Sequence, residues 1–273
     1  MFCLIGMFFL SCKTLIYLHT LQIQKINMTD IITNYLQKNK FTNLDLRAVL
    51  FDMDGIIYNS MPAHEISWQQ TMKEWGLKAE PNEFFVQEGK PARHTINMIF
   101  QRNLKRDATE QEIEDVYNRK SELFFENDSG ALIAGIEDTI KIVQDKGLTP
   151  ILVTGSGQSG LYERLNGDLP NVFTPENMVT AFEVEIGKPD PEPYLMGLKK
   201  AGNLKPNQAF VLENAPLGVE SAHRANILTI AVNTGPLDDK VLVDAGADLL
   251  MDSIEEFNSK LPELLDRATS IKI

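Results

Sequence analysis

The sequence predicts an α/β protein: a doubly wound parallel sheet with a block of helices inserted behind its first strand. Short apolar runs end in polar residues at Ala48–Phe51, before Thr154, at Ala209–Leu212 and at Leu228–Val232. Continuous apolar runs of this length mark strands buried on both faces. From Ile136 onward they alternate with helical stretches, an order that implies a parallel sheet. Between Met61 and Ile133 the strand signal is missing and only helical periodicity remains. With 273 residues, 43% of them hydrophobic, the chain can hold one large α/β domain and one smaller domain.

Taken in order, residues 1–44 read as an N-terminal extension. Met1 to Leu10 is apolar, but it lacks a basic region before the apolar run and a small-residue cleavage site, and it is too short to span a bilayer. Phe9-Leu-Ser-Cys12 matches a lipoprotein cleavage box only weakly. Met28 is the expected natural start, opening a polar amphipathic segment that leads into the first strand, and the protein is expected to be cytoplasmic. Its only cysteines, Cys3 and Cys12, lie in that extension, so neither a disulfide framework nor a zinc site is predicted.

The first core segment is 45–60, followed by a helical cap over 61–133 and the rest of the core over 134–273. Within the cap, Trp68, Met72 and Trp75 fall at helical spacing and are expected to pack inward. Further helices are expected over Asn82–Gln87, Arg93–Asn103 and Thr109–Phe125, the last opening with the capping-box pair Thr109 and Glu112. The core then predicts a helix to Lys146, a strand to Thr154, a helix to Leu165 and a short strand over Met178–Ala181. Helices over Pro193–Ala201 and up to Ala225 flank the strand Ala209–Leu212. After the strand Leu228–Val232, a final helix covers Ile254–Leu265.

The first strand runs directly into Asp52 and Asp54. Alternation along an extended chain puts the two carboxylates on one face, at the strand end where open parallel sheets bind ligands. Such a pair repels itself unless a cation sits between, and Mg2+ suits an oxygen-only donor set. Two acids so placed can divide phosphoryl transfer: Asp52 attacks phosphorus, and Asp54 exchanges protons with the leaving group and then with water. An ordinary Asp-Gly turn after a strand is the alternative for the motif alone.

The Asp-Met-Asp-Gly sequence with Ser60 beyond it resembles the first motif of the haloacid dehalogenase (HAD) superfamily, whose core is a Rossmann-like sheet. Three further stretches resemble its remaining motifs in order. Ile151-Leu-Val-Thr154 resembles the second, whose hydroxyl holds the phosphoryl group. Gly187-Lys188-Pro resembles the third, whose lysine pairs with nucleophile and phosphate, and Leu212-Glu213-Asn214 the fourth, which supplies metal ligands. Many relatives carry two acids in that last motif, whereas here one is Asn214. The resemblance spans Val49 to Asp252, lies nearest the β-phosphoglucomutase-like branch, and implies a cap that closes over substrate. It implies Mg2+ on Asp52, Asp54 and Asn214 with Glu213 ligating or supporting, and a phosphoryl group held by Thr154, Gly155, Ser156 and Lys188.

Substrate choice is expected to reside in the cap. The branch places a proton-handling histidine ten positions after the second aspartate, which is His64 here; a plain helix N-terminal residue is the alternative. Its mutases resemble one another in a lysine before the cap-loop glycine and an arginine four positions on, where this chain has Glu88 and Ala92. Losing those cations argues against mutase activity, and Glu88 can instead reach the Mg2+ shell through water or stand solvated beside Lys90 or Arg93. Glu88-Gly89, the stretch from Val153 to Gln158, Gly187-Lys188-Pro189 with Pro191 to Tyr194, and the stretch from Glu213 to Gly218 together resemble an inorganic pyrophosphatase of this superfamily from Bacteroides-type bacteria. Pyrophosphate is therefore the favoured substrate and β-phosphoglucomutase activity the alternative.

A formal net charge of -12 argues against nucleic acid as partner, and no stable membrane partner is expected. A small phosphate-bearing substrate must then be held locally, by the metal and Lys188. The glycines Gly155, Gly157 and Gly160 also satisfy a dinucleotide-binding fingerprint, but the acid at its usual spacing, Glu176, falls in a loop. A metal-dependent glycosyltransferase would leave Lys188 and Glu213-Asn214 unexplained. A binding protein that has lost its chemistry is the remaining alternative.

Overall fold

The structure, a computed structural model, describes residues 27–156 and 161–273. Six strands form one sheet: β1 (Ala48–Phe51), β2 (Thr149–Val153), β3 (Met178–Val179), β4 (Ala209–Glu213), β5 (Leu228–Val232) and β6 (Leu249–Met251). All neighbours are parallel, in the order β3-β2-β1-β4-β5-β6. Leu50 of β1 faces Ile151 on one side and Val211 on the other. The chain spreads from β1 in both directions, so strand order reverses there and a crevice opens at the carboxyl end of β1.

Alternation sorts the strand residues into two buried layers. Val49, Phe51, Phe210, Leu212 and Ile230 enter one apolar cluster, while Ala48, Leu50, Ile151, Val153 and Val211 enter the other. The first is covered by α6 (Ile136–Asp145) and α11 (Ile254–Ser270), the second by α8 (Glu192–Lys200) and α9 (Pro216–Arg224).

An unexpected member of the first cluster is α1 (Met28–Asn39), which buries Met28, Ile32, Tyr35 and Leu36. That spacing is a helical apolar face, capped at its start by Asn27, whose Oδ1 accepts the Thr29 amide at 3.1 Å. Tyr35 donates its hydroxyl to the Asn226 carbonyl at 2.9 Å. Residues 28–39 are therefore core packing and not an extension. Cys3, Cys12 and the stretch before Met28 lie outside the described residues, as do 157–160.

Two elements go beyond the sequence prediction: α10 (Asp239–Asp244) and β6. Runs of six and three residues are too short to establish a period. The final helix also continues five residues past Leu265, and β3 is only 2 residues long. Beyond it the Ala181 amide bonds the Ser156 carbonyl at 3.2 Å.

The cap is helical as expected, with α2 (Met61–Glu74), α3 (Glu83–Val86), α4 (Ala92–Leu104) and α5 (Glu110–Asn127). Its own cluster contains Trp68, Met72, Phe84, Ile96, Phe100 and Val116, with Trp75 partly buried against it. The predicted capping box is formed: the Glu112 amide donates to Thr109 Oγ1 at 3.2 Å, and the Thr109 amide to Glu112 Oε2 at 2.7 Å. The two linkers joining cap to core pair with each other, Asn59 N to Ala131 O and Ile133 N to Ile57 O, each at 2.9 Å. Among the described residues no helix is long and apolar enough to cross a membrane. The remaining helix, α7 (Leu161–Asp168), follows the second motif.

Candidate active site

The carboxyl ends of β1, β2 and β4 converge as the apolar runs predict. Asp52, Asp54, Thr154, Lys188, Glu213 and Asn214 are each less than a tenth exposed. The Lys188 ammonium donates to Asp52 Oδ1 at 2.5 Å, to Glu213 Oε1 at 2.7 Å and to the Val153 carbonyl at 3.3 Å. All three of its protons are thereby used. Burial alone would lower Lys188, but Asp52 and Glu213 raise it well above its ordinary value, so it stays charged. Burial, followed by the Glu213 carboxylate, pushes Asp52 up against the opposing pull of Lys188.

Glu213 is fully buried. Its Oε1 also accepts the Tyr194 hydroxyl at 3.0 Å, and its Oε2 accepts the amides of Asn214 and Ala215 at 2.8 and 2.9 Å. A Cβ on Gly218 would stand 1.6 Å from Oε1, so only glycine leaves room for this carboxylate. Of the two roles expected of Glu213, the geometry favours support: it orients Lys188 and the Asn214 main chain.

Asn214 has the opposite character. Its Oδ1 is buried with no hydrogen-bond partner, a costly state for a polar atom. Gly55, at φ +90°, makes the space, since a Cβ there would lie 1.9 Å from Asn214 Nδ2. Three carboxylates, Asp52, Asp54 and Glu213, are buried at this end of the sheet, and the core brings one ammonium, Lys188, which bonds two of them. A divalent cation beside Asp52 and Asn214 would supply the missing charge and the missing partner, so these residues fit Mg2+. Among the described residues no three His, Cys, Asp or Glu side chains form a metal cluster, so a cation here would need the amide oxygen and main-chain carbonyls as donors.

The cap supplies the other wall. Asp54 Oδ1 accepts the Ser60 hydroxyl at 2.5 Å and lies 3.3 Å from His64 Nε2. The other ring nitrogen of His64 lies 2.8 Å from the Lys120 ammonium. A charged lysine can only donate, so Nδ1 accepts and the Nε2 proton points at Asp54. His64 stacks on Phe124 at 4.3 Å, which fixes the ring plane. Burial alone would raise the Asp54 carboxyl, but His64, Ser60 and Lys120 hold it down at about 2. Burial and Asp54 raise Glu88, opposed by His64 and Lys120.

Between core and cap lies a cleft of about 630 Å3 lined by Asp54, His64, Glu88, Lys120, Gly155 and Ser156, among others. Thr154 Oγ1 accepts the Ser156 amide at 3.0 Å, turning the loop after β2. The residues singled out from the sequence thus meet at one place. Glu176 stays apart, in a short turn over Pro175–Asn177. Sequence reasoning missed Lys120 and undervalued Ser60 and Tyr194. The signal for Lys120 was present: it interrupts the apolar stripe Ile113, Val116, Leu123, Phe124 on the buried face of α5.

A family model described as haloacid dehalogenase-like hydrolase matches residues 49–232. The chain belongs to that family. Within it, the phosphorylated carbohydrates phosphatase of Thermotoga maritima is 30% identical over 81% of this chain and all of its own length. Hexitol phosphatase A of Escherichia coli is 30% identical over 77% of this chain and 92% of its own. Among solved structures, a Bacteroides vulgatus protein named as a candidate β-phosphoglucomutase superposes with TM-score 0.84 at 45% identity, covering 88% of this chain and 98% of that one. Family and phosphatase-named relatives together identify a phosphatase on a HAD fold.

Proposed function

We propose that this protein is a Mg2+-dependent phosphohydrolase that works through an aspartyl phosphate on Asp52, acts in the cytoplasm, and favours inorganic pyrophosphate. The observation carrying the reading is the Asp52–Lys188 pair at 2.5 Å beside the unsatisfied Asn214 oxygen: a nucleophile, its counter-charge and a waiting metal donor. Asp52, the main-chain carbonyl of Asp54 and Asn214 would hold the cation, which when bound neutralises the charge that otherwise repels a phosphate anion.

In the first half-reaction an Asp52 carboxylate oxygen bonds to phosphorus as the bond to the leaving oxygen breaks. Thr154 and the amides of Gly155 and Ser156, with Lys188, hold the equatorial oxygens, because this transfer needs positioning and charge stabilisation above all. In the second, Asp54 takes a proton from water, the water oxygen bonds to phosphorus, and Asp52 is released as carboxylate. Cap closure keeps other water out.

Two features support pyrophosphate. Ser60 and His64 both donate to Asp54 Oδ1 and so stabilise its ionised form, which favours a leaving group able to depart without a proton; phosphate does so far more readily than a sugar alkoxide. Asn214 also makes the metal site one charge less negative than two acids would, easing entry of a highly charged anion. The mutase is the second reading, favoured by the 45% identity to a candidate β-phosphoglucomutase. A Mg2+-dependent phosphate-release screen with pyrophosphate, hexose phosphates and phosphoglycolate, run beside a coupled assay for glucose 1-phosphate isomerisation, decides between them. Dominant isomerisation would reverse the order. Acid-quenched turnover that leaves no phosphate on Asp52 would overturn the mechanism itself.

A further inference from the structure

Three cap residues bring a lysine or arginine side chain to the cleft: Lys90, Arg93 and Lys120. Two are committed. Lys120 gives its ammonium to His64 at 2.8 Å, and Arg93 is gripped by both oxygens of Glu110 at 2.6 and 2.5 Å. Among the described residues Lys90 has neither an ion pair nor a side-chain hydrogen bond.

The loop that carries it is held close to the reacting centre. A Cβ on Gly155 or on Gly187 would lie 3.6 Å from the Gly89 carbonyl oxygen, and one on Gly89 would meet the Lys188 side chain at 3.2 Å. The cap loop therefore rests on both core segments expected to hold the transferring phosphoryl group. The Lys90 amide closes a turn onto the Gln87 carbonyl at 3.2 Å, so Glu88 and Lys90 flank Gly89 at the cleft. The cation missing at Glu88 and Ala92 is present two residues beyond the acid.

We propose that Lys90 binds the anionic leaving group, making it the residue that selects substrates whose departing half carries its own phosphate: pyrophosphate or a bisphosphate. The inference rests on the phosphohydrolase reading and narrows its substrate class. A neutral leaving group gives Lys90 nothing to bind, whereas a departing phosphate gains a charge-assisted hydrogen bond.

Calorimetry on the full chain with Mg2+ tests this without turnover, using methylenediphosphonate and inorganic phosphate as probes. Lys90→Met is expected to weaken diphosphonate binding about tenfold more than phosphate binding, the worth of one hydrogen bond to a charged group. Lys90→Arg should recover most of that difference. Equal weakening of both probes, no weakening of either, or failure of the wild-type protein to bind diphosphonate overturns the proposal. In turnover, kcat/KM of Lys90→Met should fall about tenfold further for pyrophosphate and a hexose bisphosphate than for ethyl phosphate, whose departing half is uncharged ethanol. A wild-type protein that releases phosphate from no donor sinks the phosphohydrolase reading, and the calorimetry still decides Lys90.

Discussion

Lys188 at the floor of the cleft and Lys120 in its roof are equally hidden, 4% and 5% exposed, yet their surroundings push them in opposite directions. Lys188 bonds two carboxylates directly and is raised well above its ordinary value. Lys120 meets a histidine nitrogen and the ring faces of Trp68 and Phe124, at 5.6 and 4.9 Å, and burial lowers it although Glu88 and Asp54 pull it upward. Burial sets the cost of a charge; the partners decide whether that cost is met. The core thus holds a lysine kept charged by two carboxylates, and the cap holds one that burial weakens, hydrogen-bonded to His64 and acting on Asp54 without a hydrogen bond to it.

The comparison breaks most sharply at the nucleophile between them. Asp52→Asn is expected to lower kcat by at least about a thousandfold, with the other contacts of the fold intact; turnover near the wild-type rate would remove the core from the chemistry. Next comes Lys188→Met. Without its ammonium, Asp52 and Glu213 are buried together unpaired, so urea unfolding should show a loss of about 3–5 kcal/mol. A raised lysine contributes stability at every pH below its ordinary value, and this loss should therefore persist across the neutral range.

Lys120→Met should behave in the reverse manner. A lysine lowered in the folded state binds fewer protons there than when unfolded, which costs stability at neutral pH and is relieved as pH rises toward its ordinary value. The variant should unfold no more easily than wild type near pH 7 and should lack that rise. Its kcat should fall about tenfold as the His64 ring loses its anchor, with an altered pH profile. Destabilisation like that of Lys188→Met would erase the distinction. The smallest effect sharpens it from the metal side: Asn214→Asp should lower the Mg2+ concentration for half activation by roughly fivefold, read from phosphate release against Mg2+.

Much of the floor was legible because each of its residues stands at the end of an apolar run or beside a proline-rich turn. Asp52, Thr154 and Glu213 close β1, β2 and β4, and a strand end is a local property. The roof was less legible. Lys120 reads as one more charge on a helix until the cluster containing Ile113 and Val116 closes around its neighbours. Helix α1 shows the same limit: Met28, Ile32, Tyr35 and Leu36 form a visible stripe, but the stripe alone does not say which domain it covers.

By itself, the sequence determined the parallel sheet, the inserted cap, the oxygen-rich strand end and the family, since apolar periodicity and short motifs are written in neighbouring residues. Tertiary structure alone decided that Glu213 spends both oxygens on protein donors, that Asn214 keeps one oxygen unpaired, and that Lys90 stays unengaged while Arg93 does not. Those outcomes turn on which groups approach within hydrogen-bonding distance: Lys188 and Tyr194 reach Glu213 across 25 and 19 positions of chain, and Glu110 reaches Arg93 across 17. The packing of the whole molecule sets such separations, and hydrogen bonds and ion pairs respond to differences of a few tenths of an ångström.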